Sequence, residues 1–336
     1  MAAPTPTFSH LRRLTDTGGL FERAEGVVPL REHGYRVDDT ALALVVACRS
    51  DAGDGIPRQL RAQYLDFVLG AQIADGRFRN RREQSLRWSG QPGIGDWWGR
   101  AVWGLGAAAT TGADGIDCAV LAAFDRSAAW RPSWLRAMAY AALGADEVLR
   151  VMPAHPPALR LMAAAAETIA RPRRFARWPW PEERLTYANA TLAHALIAAG
   201  DRLQDPQALR DGTFMLEWLL TVQTRGSHLS LVPAGGRGPF DPRSGFDQRP
   251  VEASTLADAS FRAYEATHDA RWCEAVELAT AWFLGRNDLS TPLYDPQSGG
   301  CSDALQLSGR DADQGAESSI AVIVALQRAR SLALRG

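Results

Sequence analysis

The chain has 336 residues, 46% of them hydrophobic, which is ample for a large core in one large domain or two medium ones. Its formal net charge of −1 gives no electrostatic footprint for nucleic acid or an anionic membrane, and every basic residue is arginine, which removes Schiff-base lysine and P-loop lysine chemistry. Four cysteines, Cys48, Cys118, Cys273 and Cys301, stand far apart with no CxxC pair, so neither a disulfide framework nor a thiolate metal site is expected.

In chain order, the opening MAAPTPTFSHLRRL has no apolar leader region, and no apolar run reaches the roughly 20 residues of a membrane span. A reduced, soluble, cytoplasmic protein is expected. From there apolar residues recur at i, i+3 and i+4 in blocks broken by Gly, Pro and Asp, which is the helical period. One kind of block begins polar or aromatic and runs into Ala and Leu. It returns six times, at VDDTALALVVA from Val37, DWWGRAVWGLGAAA from Asp96, RPSWLRAMAYAALGA from Arg131, TYANATLAHALIAAG from Thr186, RPVEASTLADASFRAYEA from Arg249 and DQGAESSIAVIVALQ from Asp313. Amphipathic blocks alternate with these, from Pro57, over Asp117 to Arg126, and from Pro157, Pro206 and Ala270. A sixth could come from Phe8 to Leu14 or from residues 20–30.

Alternating small-residue and amphipathic helices at this spacing predict helix pairs, and no polar capping repeat stands at either end as an open stack requires. The expected fold is therefore all-α, an (α/α)6 toroid of six inner and six outer helices forming a single domain over residues 1–336. In such a ring the inner helices run parallel, so their starts surround one mouth. Those starts carry Asp38, Asp39, Asp96, Trp97, Trp98, Trp134, Tyr187, Asn189, Glu252 and Glu317. Helix capping is the competing reading, above all for Asp38 and Asp96. Capping does not account for acids concentrated among tryptophans, of which the chain has 11. Flat aromatic faces beside carboxylates suit a pyranose ring. Long Gly-, Pro- and Asp-rich stretches, Pro233 to Pro250 and Ser290 to Gln314, precede two of the starts, as loops lining a site do.

Three segments carry a family resemblance: HGYRVDDTALAL at His33 to Leu44, FDQRPVEAS at Phe246 to Ser254, and YDPQSGGCSDAL at Tyr294 to Leu305 followed by DQGAESSIA. Together they resemble a bacterial six-hairpin domain found fused to, or encoded beside, group 1 glycosyltransferases. At fold level the chain is similar to six-hairpin glycosidases and N-acylglucosamine epimerases. The resemblance matches the acids Asp38, Asp39, Glu252, Asp303 and Glu317, and departs at Arg36, Thr40, Arg249, Ala304 and Asp313. It implies an oligosaccharide or polysaccharide ligand and a glycosyltransferase partner. Within the same motifs His33, Tyr35, Asp247, Gln248, Asp303 and Gln314 become candidate sugar contacts.

The leading expectation is a glycoside hydrolase without cofactor or metal. It would pair Asp38 or Asp39 with Glu252 or Glu317 as acid and base, the acid being unassigned. A non-catalytic glycan-binding domain is the alternative. VDDTA also resembles the proton-donor motif of class II terpene cyclases, but Arg36 stands where its first Asp belongs. Sugar epimerisation needs cavity histidines, and His194, two turns into the fourth inner helix, reads as a core residue. No HxH or HxxxH pairing suggests a metal.

Overall fold

The computed structural model describes residues 3–50, 58–111, 116–169, 172, 176–241 and 245–335. After α1 (Ser9–Arg13), its main helices come in pairs. α2 (Val37–Cys48) precedes α3 (Arg58–Ala71), and α4 (Asp96–Ala109) precedes α5 (Cys118–Ser127). α6 (Leu135–Val151) and α7 (Pro156–Thr168) follow, then α8 (Ala190–Arg202) and α9 (Pro206–Gln223), α10 (Pro250–Thr267) and α11 (Arg271–Phe283), and finally α12 (Ala316–Ala333). The even-numbered helices touch in the order α2, α4, α6, α8, α10, α12, and α12 returns to α2, closing the expected ring. The odd-numbered helices pack outside it, α3 on α2 and so on around, with α1 on α12. The short Ser9–Arg13 helix thus takes the sixth outer place. Residues 20–30 instead contribute to two-residue strands, Gly19–Leu20, Ala24–Glu25 and Val28–Pro29.

Composition explains which helices go inside. Ala137 to Ala142 of α6 are all buried, as only small side chains allow on a helix with neighbours on every side. α4 and α6 approach each other closely. A Cβ on Gly106 would lie 2.3 Å from the Gly144 carbonyl oxygen, so neither position accepts a side chain. Two of the outer helices carry side-chain caps: Asp117 accepts from the amides of Ala119 and Val120 in α5, and Asp205 from those of Gln207 and Ala208 in α9. At none of the six inner helices does the N-cap side chain accept a capping hydrogen bond from the helix's own first-turn amides. Asp38 and Asp96 stand inside the first turn, where the helix dipole favours them without their being caps.

Five of the six inner helices are reached through long loops, several of them stiffened by short antiparallel pairs. Tyr35–Arg36 pairs with Arg81–Arg82, which pairs with Trp88–Ser89. A bridge between Gln248 and Leu305 ties the loop before α10 to the loop before α12. At the opposite end of the ring lies a buried ionic cluster. Asp258 accepts from Arg49 at 3.0 Å and pairs with Arg328, while Glu147 lies 3.6 Å from Arg49. Asp146 accepts from Arg202 at 2.7 Å and Arg262 at 3.1 Å, and Arg262 reaches Asp201 at 2.6 Å. Burial would raise Asp258, but Arg328 and Arg49 outweigh it and hold the carboxyl below the usual range. Arg262 and Arg202 do the same for Asp146. Between the two ends the lumen narrows to about 40 Å³, lined by Leu42, Val45, Val46, Ile320, Ala321 and Val324. Among the described residues no helix is long and apolar enough to cross a membrane.

Candidate active site

The starts of α2, α4, α10 and α12 meet around a cavity of about 640 Å³. α2 supplies Asp38 and Asp39, α4 supplies Asp96, Trp97 and Arg100, α10 supplies Pro250 and Val251, and α12 supplies Glu317 and Ser318. Loop residues Glu22, Arg23, Arg36, Tyr187, Arg249 and Asp303 complete the wall.

Neighbouring carboxylates here have opposed environments. Arg36 grips Asp38 through two hydrogen bonds, Nε at 3.0 Å and Nη2 at 2.8 Å, and also reaches Glu22 at 3.3 Å. Burial would raise Asp38, but those bonds, with the Arg100 charge, lower it. Asp39, only 6% exposed, is pushed well above the carboxylate range by burial and then by the charges of Asp38 and Glu317. Burial likewise raises Asp96 and Asp303. On the neighbouring helix α12, Glu317 keeps 45% of its side chain exposed and accepts from Arg100 at 3.1 Å. Arg100 itself is buried and lies over the Tyr140 ring, 5.1 Å from its centroid. Asp303 accepts from Ser318 at 2.6 Å and from the Gly315 amide at 2.7 Å, locking the α12 start.

Of the residues expected from sequence, Asp38, Asp39, Asp96, Trp97, Tyr187, Asp303 and Glu317 line this cavity. Trp134 lines an adjoining depression. The others are placed elsewhere. Trp98 is fully buried in the core, one residue round the helix from Trp97. Glu252, 2% exposed, lies behind Val251, accepting from Asn189 at 2.8 Å with its second oxygen unpartnered. Burial raises it to about 7. Asn189 is occupied by Glu252, Arg136 and the Thr186 amide. Tyr35 is buried and donates to Asp16. Gln248 is buried, bonding the Leu231 amide and Asp288, and Gln314 is held by Ser298. His33 ends a 3-10 turn and Asp247 is half-buried, its carbonyl accepting from the Ala234 amide; neither lines the cavity.

Sequence reasoning passed over the arginines. Arg100 stands four residues after Asp96, hence on the same face of α4, a spacing that could have flagged it. Arg36 and Arg249 were visible only as departures from the family motif. A larger depression of about 990 Å³ lies outside the ring, between residues 3–5, α11 and α12, but it holds a single acid, Glu277. Among the described residues no group of three or more His, Cys, Asp or Glu is arranged to hold a metal ion.

No protein-family model and no curated protein matches the chain. Solved structures do. Cellobiose 2-epimerase from Bacillus thermoamylovorans aligns with TM-score 0.73 at 10% identity, over 97% of this chain and 96% of that one. The fold is an (α/α)6 toroid. D-mannose isomerase aligns with TM-score 0.69 at 10% identity, covering 96% and 95% of the two chains. A GH76 α-mannanase from Bacteroides thetaiotaomicron gives 0.67 at 10% identity, covering 98% and 95%. At such identities the likeness is one of fold.

Proposed function

We propose that the whole chain works as one unit, a glycoside hydrolase in which Asp39 is the general acid and Glu317 the base. The observation that carries this is Asp39: a cavity carboxyl held neutral by burial and by the charges around it, beside an exposed, Arg100-paired carboxylate on the neighbouring helix α12. Environments that push two carboxyls apart are how one site supplies both acid and base. As the glycosidic C–O bond breaks, Asp39 gives its proton to the leaving oxygen. A water attacks the anomeric carbon and loses its proton to Glu317. Asp38 stays ionised on Arg36 and keeps Asp39 protonated. Trp97 and Tyr187 offer flat faces to the sugar.

Three considerations support a carbohydrate ligand: the acid–aromatic wall, the motif resemblance with its glycosyltransferase association, and a shared fold with proteins named as sugar epimerases, isomerases and a mannanase. Hydrolysis is favoured over epimerisation because none of the six histidines lines the cavity: His194 is buried beside Trp103, and His10 bonds the Gln314 carbonyl.

The test is D39N and E317Q on cello-oligosaccharides and α-manno-oligosaccharides, reading reducing-end release and binding together. Each should lose about 10²–10⁴-fold in turnover while affinity stays within a few-fold. Parent-like turnover in both variants would defeat the assignment. One observation favours a second reading, a glycan-binding module: Glu317 is already engaged by buried Arg100. That reading requires binding by the parent with no release on either series.

A further inference from the structure

α6 is reached differently from the other inner helices. Residues 128–134 alone join it to α5, whereas residues 14–36, 72–95, 169–189, 224–249 and 284–315 precede α2, α4, α8, α10 and α12. The shortest of the six connections at the mouth of the ring is therefore the one before α6. A second depression of about 510 Å³ opens at that place. It shares Asp96, Trp97 and Tyr187 with the acid cavity, so the two adjoin, and it adds Trp134, Arg136 and Glu182.

The two walls of this lobe differ in chemistry. Trp134, at the N-cap of α6, is 66% exposed, an indole face left in water beside the lobe. Arg136 is buried and makes a bidentate pair with Glu182, at 2.7 and 2.8 Å. Its guanidinium lies 4.9 Å from the Tyr187 centroid and also donates to Asn189, whose amide donates to buried Glu252. Glu252 thus backs the wall from behind. A polar wall fixed by a buried network, facing a flat apolar platform, is the arrangement that receives a ring with hydroxyls at its edge and C–H bonds on its face. Each lobe falls within the roughly 300–1,000 Å³ of a small-molecule site.

We infer that the lobe at α6 is a second sugar subsite, so that the ligand is an oligosaccharide running from the acid cavity over Trp97 and out across Trp134. The inference rests on the carbohydrate reading above. Its occupant is the next ring of the same glycan, because three residues belong to both lobes.

The experiment is calorimetric titration of the parent, W134A and W134F with cello- and α-manno-oligosaccharides from disaccharide to hexasaccharide. Affinity of the parent should rise with length. W134A should cut that gain by about ten-fold, and W134F, which keeps a flat ring, should retain most of it. Affinity independent of length, or a W134A gain equal to the parent's, overturns the subsite while leaving the acid cavity as the sugar site. Failure of both series to bind the parent overturns the carbohydrate reading and this inference together.

Discussion

The two ends of the ring use the same ingredients, aspartate, glutamate and arginine, in opposite ways. At the far end each buried acid named above meets arginine: Asp258 has Arg49 and Arg328, and Asp146 has Arg202 and Arg262. At the mouth the acids crowd one another, and among the described residues Asp39 makes no ion pair within 4 Å although Asp38 and Glu317 press on it. One end is compensated and therefore structural. The other keeps an unfavourable charge arrangement, which folding alone gives no reason to retain.

The largest expected effect tests the compensated end. D258A leaves Arg49 and Arg328 buried without their carboxylate, and should lower unfolding free energy by about 3–5 kcal/mol in urea titration. An unchanged midpoint would erase the contrast between the ends. The same end sets the acid limb. Asp258 and Asp146 are depressed in the folded state, so their stabilisation is present above the unfolded value of about 3.9 and is lost as pH falls below it.

A smaller effect of opposite sign belongs to Glu252. Its folded value of about 7 lies above the free glutamate value of roughly 4.3, so the folded chain keeps a proton that the unfolded chain releases. Stability should fall by about 3–4 kcal/mol as pH rises between those values, then level off. The charged group facing it is Arg136, through Asn189. E252Q should remove that slope, and urea midpoints that vary with pH as steeply as the parent's would show that Glu252 is not its source.

The smallest effect sharpens the comparison. D39N removes a group destabilised by its like-charged neighbours, so thermal unfolding should show a change within about 1 kcal/mol, or a slight gain. A loss comparable to that of D258A would mean that the mouth is as structural as the far end.

Much of the fold could be read from sequence because small-residue blocks and amphipathic blocks bury differently. Ala-rich α6 and α8 could only go inside. Ser9–Arg13 was left open against residues 20–30 because five residues carry little period. The site was legible by element and not by face. Helix starts locate Trp97 and Trp98 equally well, and likewise Val251 and Glu252. Successive residues turn by about 100°, and which of each pair faces the cavity depends on how the helix is rotated in the ring. That rotation is fixed by packing such as the Gly106–Gly144 contact, which no local pattern encodes.

The narrow apolar lumen under Glu317 has a kinetic consequence. At about 40 Å³ it has room for a water or so and is too small to hold a sugar ring. Among the described residues the acid cavity lies at the mouth, above this narrow stretch. On the hydrolase reading proposed above, product would depart by the mouth through which its precursor arrived, and a product that lingers would block the next arrival. Turnover would then slow as product accumulates, and fresh substrate would relieve the slowing, the behaviour of a vestibule with a closed back wall.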